Sequence, residues 1–148
     1  MATLAIIGMV VFCILFSVMS YTCGIQTSIS SLAYRWRWLL LVALLSQVLL
    51  LPQMLTITPN ALQWLAFIGV SGIVVCGSAN VLDKADETVH VIAAIVAFTA
   101  LTIWVLFMNW VLALPIVLCA ISGFDKIKWM CEVGLIISVY LVILMSII

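Results

Sequence analysis

The chain has 148 residues, of which 68% are hydrophobic and only 7% are charged, and its formal net charge is zero. Soluble domains carry about 25% charged residues, so this composition excludes a water-soluble globule with a polar surface. The zero net charge also argues against a nucleic-acid partner. A spanning helix needs about 20 apolar residues, so the chain has room for five or six spans and no separate soluble domain.

The first apolar run covers about residues 4–21 and contains no charged residue. A secretory signal peptide begins with a basic region, which this run lacks, so we expect a retained membrane helix that stops near Gly24. After a stretch rich in hydroxyl residues, two arginines alternate with two tryptophans. Arginine and tryptophan side chains favour the headgroup level of a bilayer. This segment is predicted to be an interface anchor, formed by Arg35, Trp36, Arg37 and Trp38.

The second predicted span covers about residues 39–56 and places Ser46 and Gln47 at the middle of the membrane. A side-chain amide in hydrocarbon must find a partner, so Gln47 is expected to face another helix, either as interhelical glue or as the lining of a polar path. Pro52 is expected to bend this span. The turn at Thr58-Pro59-Asn60 separates it from the next span.

The third predicted span covers about residues 61–79 and carries small side chains at every third or fourth position. That spacing places them on one helical face, where two backbones can approach closely. The face serves contacts either within the subunit or between subunits. It is formed by Ala66, Gly69, Gly72 and Cys76.

A charged run, Asp83 to His90, separates this span from the second half of the chain, and its first acidic residues resemble a helix cap. The stretch from Val89 to Phe124 is too long for one helix in a bilayer, so we divide it into spans at about 89–108 and 110–121. The last span covers about 129–147. The sequence thus predicts one all-α transmembrane domain over residues 1–148 with six spans; the alternative is five spans plus a re-entrant segment.

The basic residues favour six spans over five. With six spans, all five lie on one side of the membrane, whereas five spans would place Lys126 and Lys128 opposite the others. The positive-inside rule therefore predicts cytoplasmic charged loops, with both termini outside.

One polar cluster is predicted at the cytoplasmic face. His90 and Glu132 fall in the first turns of two spans that both start from this face, and ionisable groups at that depth are costly and usually paired. Histidine titrates near neutral pH, so a functional cluster would handle protons or cations; the alternative is a structural ion pair, with Glu132 reaching towards Lys128. The proposed members are Glu87, His90, Glu132, Ser28, Ser30 and Tyr34.

Three kinds of function remain open. The leading hypothesis is a small channel- or transporter-like subunit, homo-oligomeric, in contact with the lipid bilayer. The second is a non-transporting membrane interaction protein, such as a defence- or phage-related component. The third is a lipid-active hydrolase that uses a serine and His90, although no G-x-S-x-G elbow is present. The sequence assigns no catalytic residue, no cofactor and no specific protein partner, and one histidine gives no recognisable metal site.

Short patterns resemble small multi-span membrane proteins of Bacteroidetes-type bacteria. They are Ser28-Ile29-Ser30, Val89-His90 followed by Ala93-Ala94, and Trp129 three residues before Glu132. The resemblance implies six helices and a location in the bacterial inner membrane. It implies no activity.

Overall fold

A computed structural model of the chain describes residues 1–24, 29–79, 87–122 and 126–148. Within these ranges the ordered elements are helices, and no β-strand occurs. The predicted all-α class is therefore confirmed. The helices expose many large apolar side chains, among them Tyr21, Phe107 and Trp110. Lipid solvates such surfaces, so the architecture is that of an integral membrane protein.

Seven α-helices and four short 3₁₀ segments make up the described residues. The α-helices are α1 (Ala2–Cys23), α2 (Ala33–Leu45), α3 (Leu51–Ile57), α4 (Gln63–Ala79), α5 (Glu87–Asn109), α6 (Leu114–Ser122) and α7 (Ile127–Ile147). The 3₁₀ segments are Ile29–Leu32, Ser46–Leu50, Asn60–Leu62 and Trp110–Ala113. Gly24 follows α1 with φ 70°, a left-handed value that favours glycine, and its N–H donates to the Ser20 carbonyl oxygen.

Five helical segments in the described ranges are long and apolar enough to cross a membrane. They are Ala2–Cys23, Arg35–Ile57, Asn60–Ala79, Thr88–Cys119 and Ile127–Ile147. A separate span over 110–121 is not confirmed, because α6 has only nine residues and belongs to the 32-residue apolar segment Thr88–Cys119. This segment is interrupted at Asn109, whose backbone is extended (φ −165°, ψ 102°) and whose side-chain oxygen accepts the Val111 N–H at 3.1 Å.

Near Pro52, where a bend was predicted, the helix changes type. Between α2 and α3 the chain runs as a 3₁₀ helix from Ser46 to Leu50, and Pro52 stands in the first turn of α3. Proline has no N–H to donate to the preceding turn, so regular α-helical bonding cannot continue through it. Pro115 occupies the equivalent place in α6, after the 3₁₀ segment Trp110–Ala113.

The small-residue face of α4 packs against α5. A Cβ added at Gly69 would lie 2.6 Å from Leu101 side-chain atoms, and one added at Gly72 would lie 2.9 Å from the Ala97 Cβ. Ala66, on the same face, is fully buried. Of the two contacts the sequence left open, the structure places this face within the subunit, where it joins two antiparallel helices.

The helix α7 is the common neighbour of both halves of the bundle. It runs parallel to the second span, since Tyr140 contacts Gln47 and Ser146 contacts Gln53. It runs antiparallel to α6, because only residues 123–126 separate the two helices in the chain and Gly134, well inside α7, lies against Pro115 near the far end of α6. These contacts place α7 beside the chain segments that carry the polar side chains of the interior.

The interior consists of two apolar clusters. The larger contains buried residues of α1, α3, α4, α5 and α7, with Trp104 fully buried. The smaller lies towards the charged loops and contains Phe12, Ile29 and Trp129. Rings connect the two, because Trp129 stacks on Phe16, Phe16 on Phe12, and Phe12 meets Tyr140 edge to face.

Candidate functional site

A pocket of about 120 Å³ lies where the two apolar clusters meet. Helices from both halves of the chain line it, and most of its wall is hydrocarbon or aromatic. Four lining residues carry other chemistry: Gln47, Cys76, Glu132 and Tyr140. Binding sites combine an apolar wall with a few polar groups in this way, so the pocket is the candidate site.

Glu132 supplies a carboxylate to this pocket. It is partly buried on α7, and its Oε2 accepts the backbone N–H of Ile29 at 2.5 Å. Ile29 opens the 3₁₀ segment that leads into α2, so the bond ties α7 to the start of the second span. Lys128 precedes Glu132 by one helical turn, near enough for an attraction along the helix.

Gln47 and Tyr140 form the second polar element of the pocket. The Tyr140 hydroxyl donates to Gln47 Oε1 at 3.0 Å, and Gln47 Nε2 donates to Ser46 Oγ at 3.3 Å. Ser46 Oγ in turn donates to the Ala43 carbonyl oxygen at 2.6 Å and lies 3.3 Å from the Gly8 carbonyl oxygen. Gln47 is only 3% exposed, so this bonded chain satisfies the amide inside the bundle and joins three helices.

His90 pairs with Cys76 and not with Glu132. Its Nδ1 lies 3.1 Å from the Cys76 carbonyl oxygen and 3.4 Å from the Cys76 Sγ. No ion pair joins His90 to Glu132; Cys76, which contacts His90, also lines the pocket beside Glu132. A direct contact between His90 and Glu132 was expected. Instead, the packing of α5 on α4 holds the His90 ring against Cys76 of α4.

The remaining members of the predicted cluster lie outside the described part of the molecule. Ser28 falls between the described ranges, as does the cap expected at Asp83 to Asp86. The side chains of Ser30, Tyr34 and Glu87 are likewise outside it.

The predicted interface anchor lies at the start of α2. Arg35, Arg37 and Trp38 are exposed, and the Arg37 guanidinium carbon stands 5.9 Å from the centre of the Trp38 ring, a cation–π distance. Trp36 is partly buried and packs against the smaller apolar cluster. Its backbone is not helical (φ −130°, ψ 41°), so α2 is kinked there and the four side chains do not share one helical face.

Sequence reasoning did not assign Tyr140 to the site, and it assigned Cys76 only to a packing face. A signal existed for Tyr140, because it follows Glu132 by eight residues, about 12 Å along one side of the same helix. The partnership of Tyr140 with Gln47 joins residues 93 positions apart, and nothing in the sequence marks it.

Within the described residues, no group of three or more His, Cys, Asp or Glu side chains could hold a metal ion. The described lining of the pocket offers one carboxylate, one phenol, one amide and one thiol around an apolar space.

No protein-family model matches the chain, and neither a curated protein nor a solved structure is significantly similar to it.

Proposed function

We propose that the protein is a transporter-like membrane subunit in which Glu132 carries a proton or a small cation through the helix bundle. The observation that carries the proposal is that Glu132, on a helix long and apolar enough to span a membrane, lines a pocket between helices. Ionisable groups inside a membrane protein are expensive, and they commonly mark ion or substrate paths.

A purely structural role would not require a charge at this position. The contact with the Ile29 N–H needs one hydrogen-bond acceptor, which the amide oxygen of a glutamine would also supply. The carboxyl group differs from that amide in one respect, since it can lose and regain a proton or bind a cation. The proposed transport function depends on this ability of the Glu132 carboxyl group.

The helix beside the pocket supports a path. The second span changes from α to 3₁₀ and back between Ser46 and Pro52, and Gln47, Leu50 and Met54 from this region line the pocket. Transporters commonly build their binding sites near interrupted helices at the middle of the bilayer.

We further propose six membrane passes in a bacterial inner membrane, with the charged loops cytoplasmic and both termini outside. The helix directions support this topology. Helix α5 is antiparallel to α4, and α4 is antiparallel to α3, to which it is joined by a short turn. Because α3 belongs to the span that is parallel to α7, α5 and α7 run in the same direction. Helix α6 is antiparallel to α7, so the chain reverses direction between α5 and α6, at Asn109. The 3₁₀ segment Trp110–Ala113 and α6 together extend about 20 Å, so this pass crosses where the bilayer is locally thin.

A pair of reporter fusions tests the topology. Six passes predict that an alkaline phosphatase fused after Ile148 is active, because the enzyme folds only outside the cytoplasm, and that green fluorescent protein at the same position is dark. The same reporters inserted after Lys126 should give the opposite pair of signals. A fluorescent, phosphatase-negative C-terminus would mean five passes and would overturn the proposal.

Proton flux tests the role of Glu132. In liposomes that contain the purified protein and a pH-sensitive dye, a potassium diffusion potential should drive proton entry faster than in protein-free liposomes. Glu132→Gln should reduce the rate to the protein-free level, because it keeps the acceptor for Ile29 and removes the titrating group. Met145→Leu, a change on the exposed side of the same helix, is the matched control and should leave the rate unchanged. Equal rates for the wild type and Glu132→Gln would refute the proposal.

The homo-oligomer and the lipid-hydrolase hypothesis remain predictions. The small-residue face of α4, for which a contact between subunits was one of two possibilities, is covered by α5 in the same chain. For a hydrolase, His90 would have to face a serine, and the structure instead places its ring against Cys76.

A further inference from the structure

We infer that the pocket binds a small aromatic ammonium ion, with its ring between the apolar walls and its charge at Glu132. This inference rests on the proposed function, because it names the class of cation that the Glu132 carboxylate would accept. Its support comes from the size of the pocket, the composition of its wall and the carboxylate that Glu132 contributes to it.

The size of the pocket suits a ligand with one ring. Its volume is about 120 Å³. An engineered cavity of about 150 Å³ lined by leucine, isoleucine and phenylalanine stays dry and takes up benzene, so a pocket of about 120 Å³ has room for no more than one ring. Larger organic cations with several rings would not fit without movement of the helices.

The wall of the pocket suits an apolar, aromatic body. Aliphatic side chains from α2, α4 and α7 form most of it, including Leu44, Val70 and Leu135. Among the described residues, three rings also line it: Phe12, Phe98 and Tyr140. Aromatic rings attract cations through their negative faces, most strongly where water is excluded, so the rings in this wall favour an organic cation.

The Glu132 carboxylate decides the charge of the ligand. A carboxylate disfavours an anion in the same pocket, and a neutral hydrocarbon would gain nothing from a buried charge that is costly to keep. An ammonium group would compensate that charge. Glu132 Oε2 accepts one N–H from Ile29, and a carboxylate has about four acceptor positions, so the group has capacity for an ammonium donor as well.

Metal cations suit the pocket less well. Calcium takes six to eight oxygen ligands, and zinc takes three or four nitrogen, sulfur or carboxylate ligands. The described wall supplies one carboxylate, one amide, one phenol and one thiol, and two of these, Gln47 and Tyr140, already bond to each other. The rest of the described wall is apolar and supplies no further metal ligand.

A series of three probes of similar shape tests the inference. Benzylammonium, benzyl alcohol and benzoate carry a positive charge, no charge and a negative charge on the same ring. Calorimetric titration of the purified protein in detergent, with empty micelles as the blank, should show saturable binding of benzylammonium and none of benzoate. Saturable binding of benzoate, or equal affinity for benzylammonium and benzyl alcohol, would overturn the inference, as would the absence of benzylammonium binding.

The variant Glu132→Gln tests whether the Glu132 carboxylate causes the preference of the pocket for a positively charged ligand. Loss of a buried charge partner should weaken benzylammonium binding by about 30-fold or more. The affinity for benzyl alcohol should stay within about threefold, because the apolar wall is unchanged. Met145→Leu, on the exposed side of the helix, should leave both affinities unchanged. If Glu132→Gln fails to fold, the wild-type probe series decides by itself.

The binding measurement and the flux measurement test the two proposals separately. Saturable, Glu132-dependent benzylammonium binding without proton or benzylammonium flux in liposomes would refute the transporter and leave the binding site standing. Glu132-dependent proton flux without benzylammonium binding would refute this inference and leave the proposed function standing.

Discussion

Replacing Trp104 by alanine is expected to destabilise the folded bundle by about 3 kcal/mol. Trp104 is fully buried in the larger apolar cluster, and its Nε1 donates to Thr58 Oγ1 at 2.7 Å. Removal of the Trp104 indole ring leaves a cavity where α5 meets the turn between α3 and α4. We take the lower end of the range measured for large-to-small core changes, because lipid also solvates the ring when the helices separate. Unfolding in mixed micelles of rising SDS content, followed by far-UV circular dichroism, gives the free energy.

Trp110→Ala is the matched control for this change. It deletes the same side chain from a residue that is 71% exposed, so its expected effect is within about 0.5 kcal/mol. Similar losses for the two variants would show that Trp104 does not lie in a packed interior. A double-mutant cycle of Trp104→Phe and Thr58→Val separates the hydrogen bond from the packing, with a coupling energy of about 0.6 kcal/mol expected for a bond between membrane helices.

Gly134→Leu is expected to cost about 2 kcal/mol or more by forcing α6 away from α7. A Cβ at this position would lie 2.8 Å from the Pro115 carbonyl oxygen and 2.9 Å from the Ile116 Cα. Both contacts are to backbone, so no change of rotamer relieves them. The same SDS titration measures the loss.

Met145→Leu introduces the same side chain on the same helix at a residue that is 61% exposed, and should change the stability by less than about 0.5 kcal/mol. A cysteine cross-link reports the geometry. The native Cys119 and Cys131, on the two helices that meet at Gly134, should cross-link less readily in Gly134→Leu than in the wild type. A variant as stable as the wild type, with unchanged cross-linking, would contradict the close approach of α6 and α7.

Much of the fold followed from physical constraints that act locally. Long uncharged runs form helices in lipid because every backbone polar group must be bonded within its own segment. A break in the run that starts at Val89 was expected from its length alone, since the run exceeds the thickness of a bilayer. The structure has the interruption at Asn109. Proline has no N–H, so an irregularity near Pro52 was expected as a bend; the structure shows a 3₁₀ segment just before it.

Other features depended on which helices become neighbours. The spacing of Gly69 and Gly72 predicted a packing face but gave no information on the partner, because glycine permits close approach by any helix. The pairing of His90 was expected with Glu132 because both lie at the same depth. Depth does not fix the rotation of a helix about its axis, and the packing of α5 on α4 turned His90 to Cys76.

The sequence by itself determined that this protein is a bundle of apolar helices in a membrane, and it singled out Glu132 and Gln47 as polar groups in that bundle. Composition and hydrophobic length suffice for this, since they measure the cost of each segment in water and in lipid. Only the tertiary structure decided that Glu132 borders a pocket and that Tyr140 satisfies Gln47. The physical reason is that the pocket wall combines side chains from helices far apart in the chain, and only the packing of those helices brings them together.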